Sequence, residues 1–145
     1  MGYSTDVKMA SYISESAHRG AVDKAGAPYI LHPERVASRM STDEEKVVAW
    51  LHDVVEDTDI TLERIKSLFG DETAAAIDAI THRKGEMWSD YLCRVKRNPI
   101  AKAVKISDLI DNSNLSRLPN VTAKDIKRAD KYHRALMFLM DIDGE

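Results

Sequence analysis

Residues 47–57 read Val47-Val48-Ala49-Trp50-Leu51-His52-Asp53-Val54-Val55-Glu56-Asp57. On a helix each residue turns about 100°, so with His52 at zero Glu56 falls near 40°, Asp53 near 100° and Asp57 near 140°. Trp50, Val54, Val47, Leu51 and Val55 fall between about 160° and 300° on the same wheel. One face is ionisable and the other apolar, which is the pattern of a helix packed on a core. The reading requires one continuous helix, opened by the capping box Ser41-Thr42-Asp43-Glu44 and reaching about Val55.

Outward from this segment, apolar residues recur at helical rather than alternating spacing. Ser4 or Thr5 caps a first helix to about His18, and Arg19 to Leu31, with Gly20, Gly26 and Pro28, reads as a loop. Pro33 suits the first turn of a short helix ending near Met40. Thr61 caps a helix that Gly70 ends, and Asp71 caps the next, to about Thr81. A helix from Met87 stops at Arg97 because the residue before Pro99 avoids the α region. Pro99 opens a helix to about Asn112, and Thr122 caps a last one to about Met140. The expectation is an all-α fold of about seven to eight helices with no strand, in one domain over residues 1–145.

The 145 residues suffice for a core without a disulfide or a structural metal. Cys93 is the single cysteine, which excludes an intrachain disulfide and points to a reducing, cytoplasmic setting. Met1 to Ala10 does not read as a signal peptide, and no apolar run is long enough to span a membrane. The net charge of -3 argues against a nucleic-acid partner. It leaves room for a small anionic substrate, because a bound cation reverses the local field.

Three carboxylates and an imidazole within six residues repel one another unless something compensates. Most acidic helix faces are solvated surface. Here further polar residues interrupt apolar segments elsewhere: His32 in Tyr29-Ile30-Leu31-His32-Pro33, and Asp108 and Asn112, one turn apart, in the stretch 104–112. Such groups need partners when buried. One divalent cation satisfies them together. His32, His52, Asp53 and Asp108 form a mixed nitrogen and oxygen site suited to manganese, iron or zinc rather than calcium or magnesium. Glu56 and Asp57 are then free to orient or deprotonate a water activated by the cation.

At these residues the chain resembles the HD superfamily, named for a doublet that here is His52-Asp53. The wider context is more specific: Ala17-His18-Arg19-Gly20, then Gly26-Ala27-Pro28-Tyr29-Ile30-Leu31-His32-Pro33, then His52 to Thr58, then Val104 to Asn112. It is similar to the hydrolase domain of RelA/SpoT proteins and to the stand-alone small alarmone hydrolases of the metazoan SpoT homologue type, over roughly residues 5 to 140. The resemblance implies an HD-type helical fold and Mn2+ held by His32, His52, Asp53 and Asp108. It implies that Glu56 and Asp57 activate the attacking water, that Asn112 contacts the nucleotide, and that (p)ppGpp loses its 3′-pyrophosphate to give GDP or GTP.

Three positions depart from that pattern. Asp23-Lys24 stands where the family carries Arg-Lys, whose arginine packs on guanine, and an aspartate cannot stack in that way. Ala21 replaces a common glutamine, and Asp108-Leu109-Ile110-Asp111-Asn112 replaces Asp-Arg-x-His-Asn. The alternative is therefore the same chemistry on another nucleotide or phosphate ester, NADPH for example. A catalytically silent binding module is disfavoured because every ligand and both acids are kept. Lys24, Tyr29 and Lys105 are further candidate substrate contacts, with Arg83 and Lys84 as lesser ones. His18 and His82 read as structural. Trp88, Tyr91, Leu92 and Val95 read as core, and Tyr132 to Met140 as core or a partner surface.

Overall fold

Ser4 Oγ accepts the Val7 N–H at 3.2 Å and opens α1 (Thr5–Ala17). In this computed structural model residues 4–142 are described, so Met1 to Tyr3 of the stretch read for a signal peptide lie outside the described residues. The chain continues through α2 (Leu31–Ser38), α3 (Asp43–Leu51), α4 (Val54–Asp57) and α5 (Leu62–Phe69). Then follow α6 (Asp71–Ile80), α7 (Trp88–Arg97), α8 (Pro99–Ser113) and α9 (Ala123–Leu139). Among the described residues there are eight helices of eight residues or more and the single turn α4, with no strand beyond an isolated bridge between Val22 and Pro28.

Local chemistry explains most boundaries. Thr61 caps α5 through the Arg64 N–H, Asn98 caps α8 with Pro99 in its first turn, and Thr122 forms a capping box with Asp125 at α9. Gly70 links α5 to α6 at φ 96°, a conformation that favours glycine.

Three expectations shift. The capping box of α3 is Thr42 with Glu45, one residue later than Ser41 with Glu44. In this Ser-Thr-Asp-Glu-Glu run both registers satisfy the pattern, and Glu45 Oε1 accepts both the Ser41 and Thr42 N–H groups at 3.1 Å. Asp71 is the first residue of α6 and not its cap, since Gly70 holds that place. The helix through residue 55 is broken: α3 ends at Leu51, and the chain turns at His52 and Asp53 before α4.

Two helices form the centre. α3 packs on α1, α2, α6 and α8, and α8 packs on α2, α3, α6, α7 and α9. Their inner faces bring Val47, Val48, Leu51, Val104 and Leu109 into one core with Val36, Ile77 and Val95. Each such fully buried leucine or valine contributes about 1.5–3 kcal/mol relative to exposure. The mutual contact of α2, α3 and α8 brings His32, His52 at the end of α3, and Asp108 to one junction.

Candidate metal centre and cleft

His32 sits in the first turn of α2 and is 4% exposed, and His52 caps the end of α3 at 3%. Asp53 occupies the break before α4, and Asp108 projects from the middle of α8 at 4% exposed. The four side chains converge. His32 Nε2 lies 2.8 Å from Asp108 Oδ1 and 3.8 Å from Asp53 Oδ2. His52 Nε2 lies 3.1 Å from Asp108 Oδ1 and 3.2 Å from Asp53 Oδ2. One donor atom from each lies within 4.8 Å of the others, a separation compatible with shared ligation at about 2.0–2.2 Å per donor. Two imidazoles and two carboxylates, three of them buried, could hold a divalent transition metal.

The surroundings orient these donors. His52 Nδ1 donates to the Ala49 carbonyl at 2.6 Å, which leaves Nε2 facing the cluster. The Tyr29 hydroxyl donates to Asp53 Oδ2. Burial, then the Asp53 charge, pushes the Tyr29 hydroxyl far up, so it stays a donor. The Asn112 amide donates to Asp108 Oδ1 at 3.2 Å, and Lys105 Nζ to Asp108 Oδ2 at 2.8 Å.

Each charged group of the cluster is stabilised by its partners. Burial alone would lower His52, but Asp53 and Asp108 outweigh it and hold the imidazole well above its ordinary value. His32 is raised likewise, against burial, by Asp108 and Asp111. Burial would raise Asp53, yet His52 and His32 bring it down to about 2. Asp108 is held well below the carboxylate range by Lys105 and both histidines, again against burial.

Beside the cluster is a cleft of about 240 Å³, into which Asp53, Glu56, Asp57, Lys105, Asp108 and Asn112 face together. Desolvation, then Asp53, then Asp57 raises the Glu56 carboxyl; desolvation and Asp53 raise Asp57. Both are exposed at the cleft mouth. A second cavity of about 410 Å³ shares Tyr29, Asn112 and Tyr132 with the first, and Lys24, Arg35, Arg117 and Arg128 also line it. That volume falls within the range of small-ligand pockets. A further cavity of about 850 Å³ along α7 and α9 contains none of the cluster.

The structure thus brings His32, His52, Asp53, Asp108, Glu56, Asp57, Tyr29, Lys105 and Asn112 to one place, with Lys24 on the rim of the larger cavity. Arg83 pairs with Asp78 at 3.3 Å, and neither it nor Lys84 lines these two cavities. His18 is buried and packs against Tyr29 with ring centres 4.8 Å apart and tilted by 52°, whereas His82 faces the cleft and bonds the Glu86 carbonyl at 2.8 Å.

Trp88, read as core, is half-buried and forms a cleft wall with Tyr91 and Tyr132. Helical spacing reports that it packs, not that a cleft opens beside it. The sequence offers a signal for two further residues of the site, Arg35 and Asp111: Arg35 shares a face of α2 with His32, and Asp111 interrupts the apolar face of α8. Asp23 is a loop residue: its Oδ1 accepts the Ala25 and Ala27 N–H groups at 2.9 Å each, closing the turn around Gly26.

The comparisons place this geometry. The sequence model of the HD domain matches residues 10–88, more than half of the chain, including His32, His52 and Asp53. A guanosine-3′,5′-bis(diphosphate) 3′-pyrophosphohydrolase of Aquifex aeolicus is 30% identical over 122 residues, covering 76% of this chain and 18% of that protein. A probable enzyme of the same description from Synechocystis is 50% identical over 62 residues, 40% of this chain and 8% of that one. The chain therefore spans less than a fifth of these relatives' length. A solved structure described as a metazoan orthologue of SpoT that hydrolyses ppGpp superposes with a TM-score of 0.81 at 20% identity, covering 97% of this chain and 88% of that one. At that identity the likeness is one of fold. With the doublet His52-Asp53 at the break between α3 and α4, His32 and Asp108 gathered around it, and the family's sequence model matched across residues 10–88, the chain belongs to the HD domain family.

Proposed function

We propose that the protein is a metal-dependent phosphohydrolase that removes the 3′-pyrophosphate of (p)ppGpp, giving GDP or GTP. The observation that carries this reading is the four-donor cluster, three of its members buried, opening onto a cleft with the carboxylates of Glu56 and Asp57, next to a cavity of nucleotide size. The relatives named above support the substrate class. His32, His52, Asp53 and Asp108 would hold the cation, Mn2+ in this proposal. When bound, such an ion lowers the pKa of a water and neutralises charge on a phosphoryl oxygen.

The chain supplies the rest. Glu56 and Asp57, both raised above the ordinary carboxylate value, accept the proton of the attacking water. The water oxygen forms a bond to the phosphorus attached to the ribose 3′ oxygen, the bond from that phosphorus to the 3′ oxygen breaks, and the 3′ oxygen leaves with the proton that Glu56 or Asp57 took from the water. Lys105 and Lys24 offset phosphate charge, while Tyr29 and Asn112 border both cavities and orient the nucleotide between them. The single cysteine and the acidic net charge fit a cytoplasmic enzyme of a small nucleotide with no nucleic-acid partner. No helix among the described residues is long and apolar enough to cross a membrane.

One observation favours a second reading. Asp23 is tied into its own loop and presents no guanidinium for a base to stack on. The same hydrolysis would then act on another nucleotide or phosphate ester such as NADPH. A panel of guanosine, adenosine and nicotinamide nucleotides with Mn2+ decides between them. Release of pyrophosphate from guanosine tetraphosphate is expected. No release from it, with turnover of another member, would establish the second reading.

A further inference from the structure

His32 uses both ring nitrogens. Nε2 faces the cluster, 2.8 Å from Asp108 Oδ1, and Nδ1 lies 2.6 Å from Asp111 Oδ2. Asp111 is 1% exposed and is itself held from the far side. Arg35 grips it as a fork, Nε to Oδ1 at 2.7 Å and Nη2 to Oδ2 at 3.1 Å. Arg117 Nη2 donates to its backbone carbonyl at 3.0 Å, and Arg39 Nη2 stands 3.7 Å from Oδ1. His52 differs, since its Nδ1 meets only the neutral Ala49 carbonyl.

An ionised carboxylate accepts and cannot donate. Both ring nitrogens of His32 face a carboxylate; with a cation bound at Nε2 the ring would be neutral and carry its one proton on Nδ1, where Asp111 accepts it. We propose that Asp111, anchored by Arg35, is the positioning residue of the metal centre: it fixes the tautomer and ring orientation in which His32 offers Nε2 to the cation. The proposal rests on the reading of His32 as a metal ligand. It gives a role to the aspartate that stands where the resembled pattern has histidine, three residues after Asp108. Such partners behind a ligating histidine typically govern metal affinity by about 10–100-fold.

The test is Mn2+ titration of the metal-free protein, followed by calorimetry and by the spin resonance of free Mn2+. Asp111→Asn keeps shape and removes charge; Asp111→Ala removes both. Each is expected to weaken Mn2+ binding about 10-fold or more, with an unchanged helical circular dichroism spectrum. Activity should return towards the wild-type value as Mn2+ is raised, because Asp111, 1% exposed at the edge of the larger cavity, bonds His32 and Arg35 and lies outside the cleft that holds Glu56 and Asp57. Folded variants that bind Mn2+ within twofold of wild type overturn the proposal. His32→Ala separates the two ideas: Mn2+ binding unchanged in that variant defeats the reading of the site itself. A measurement on the unaltered protein covers the case in which the variants do not fold. Loaded with diamagnetic Zn2+, His32 should show a protonated Nδ1 in nitrogen-detected NMR, and a ring protonated on Nε2 overturns the assignment.

Discussion

Lys105 Nζ and Asp108 Oδ2, one helical turn apart on α8, form a buried ion pair of 2.8 Å on the cluster side of the cleft. The pair fixes one oxygen of Asp108 and leaves Oδ1 to His32 and His52. Asp108 in turn keeps the buried lysine charged: burial alone would lower its pKa, and Asp108 raises it well above the ordinary value.

Lys105→Met leaves the Asp108 carboxylate buried with one partner fewer. Removing one member of a buried pair typically costs about 3–5 kcal/mol. A urea melt of the metal-free variant should show a loss of that order. Saturating Mn2+ should restore part of it, because a cation binding only the folded state stabilises by mass action.

Glu56→Gln and Asp57→Asn each remove a candidate proton acceptor without touching the four donors. Turnover should fall by about 10²–10⁴-fold, while Mn2+ binding stays as in wild type. A rate within twofold of wild type would take that residue out of the mechanism.

The pH dependence follows from the same carboxyls. Glu56 and Asp57 accept a proton only when ionised, and desolvation with neighbouring Asp53 raises both. The acid limb of the rate profile should therefore lie above the ordinary carboxylate range, with activity lost as pH falls through it. For metal-free stability the sign is set by His52, whose folded value is raised above 6.5. That contribution is fully present below 6.5 and is lost as pH rises through the folded value. Thermal melts of the metal-free protein should weaken as pH rises from 6.5 through the folded value, and Mn2+ should remove the dependence.

Leu109→Ala opens a cavity behind the cluster, where Leu109 is fully buried on α8 between Asp108 and Asp111. The expected loss is about 2–5 kcal/mol, measured by denaturant unfolding.

Much of this fold was legible because its boundaries are set by local chemistry. Thr61, Gly70, Pro99 and Thr122 each act on neighbours within four residues, and each marks the boundary expected of it. The break at His52 and Asp53 was not legible. Apolar spacing continues across it, so the wheel predicted one helix. At the break both side chains turn toward residues on helices distant in sequence, His52 to Asp108 and Asp53 to His32. The four donors could be picked out because each interrupts an apolar segment or adjoins one. Asp111 does so as well, but its partners His32 and Arg35 lie more than seventy positions away, and only packing of α2 on α8 reveals the pairing.

In the proposed site one cation joins α2, the α3–α4 break and α8. Crystals grown with Mn2+ and measured at the manganese absorption edge test it most directly. The predicted result is a single anomalous peak bounded by His32 Nε2, His52 Nε2 and the carboxylates of Asp53 and Asp108. A map with no peak among those four side chains would contradict it.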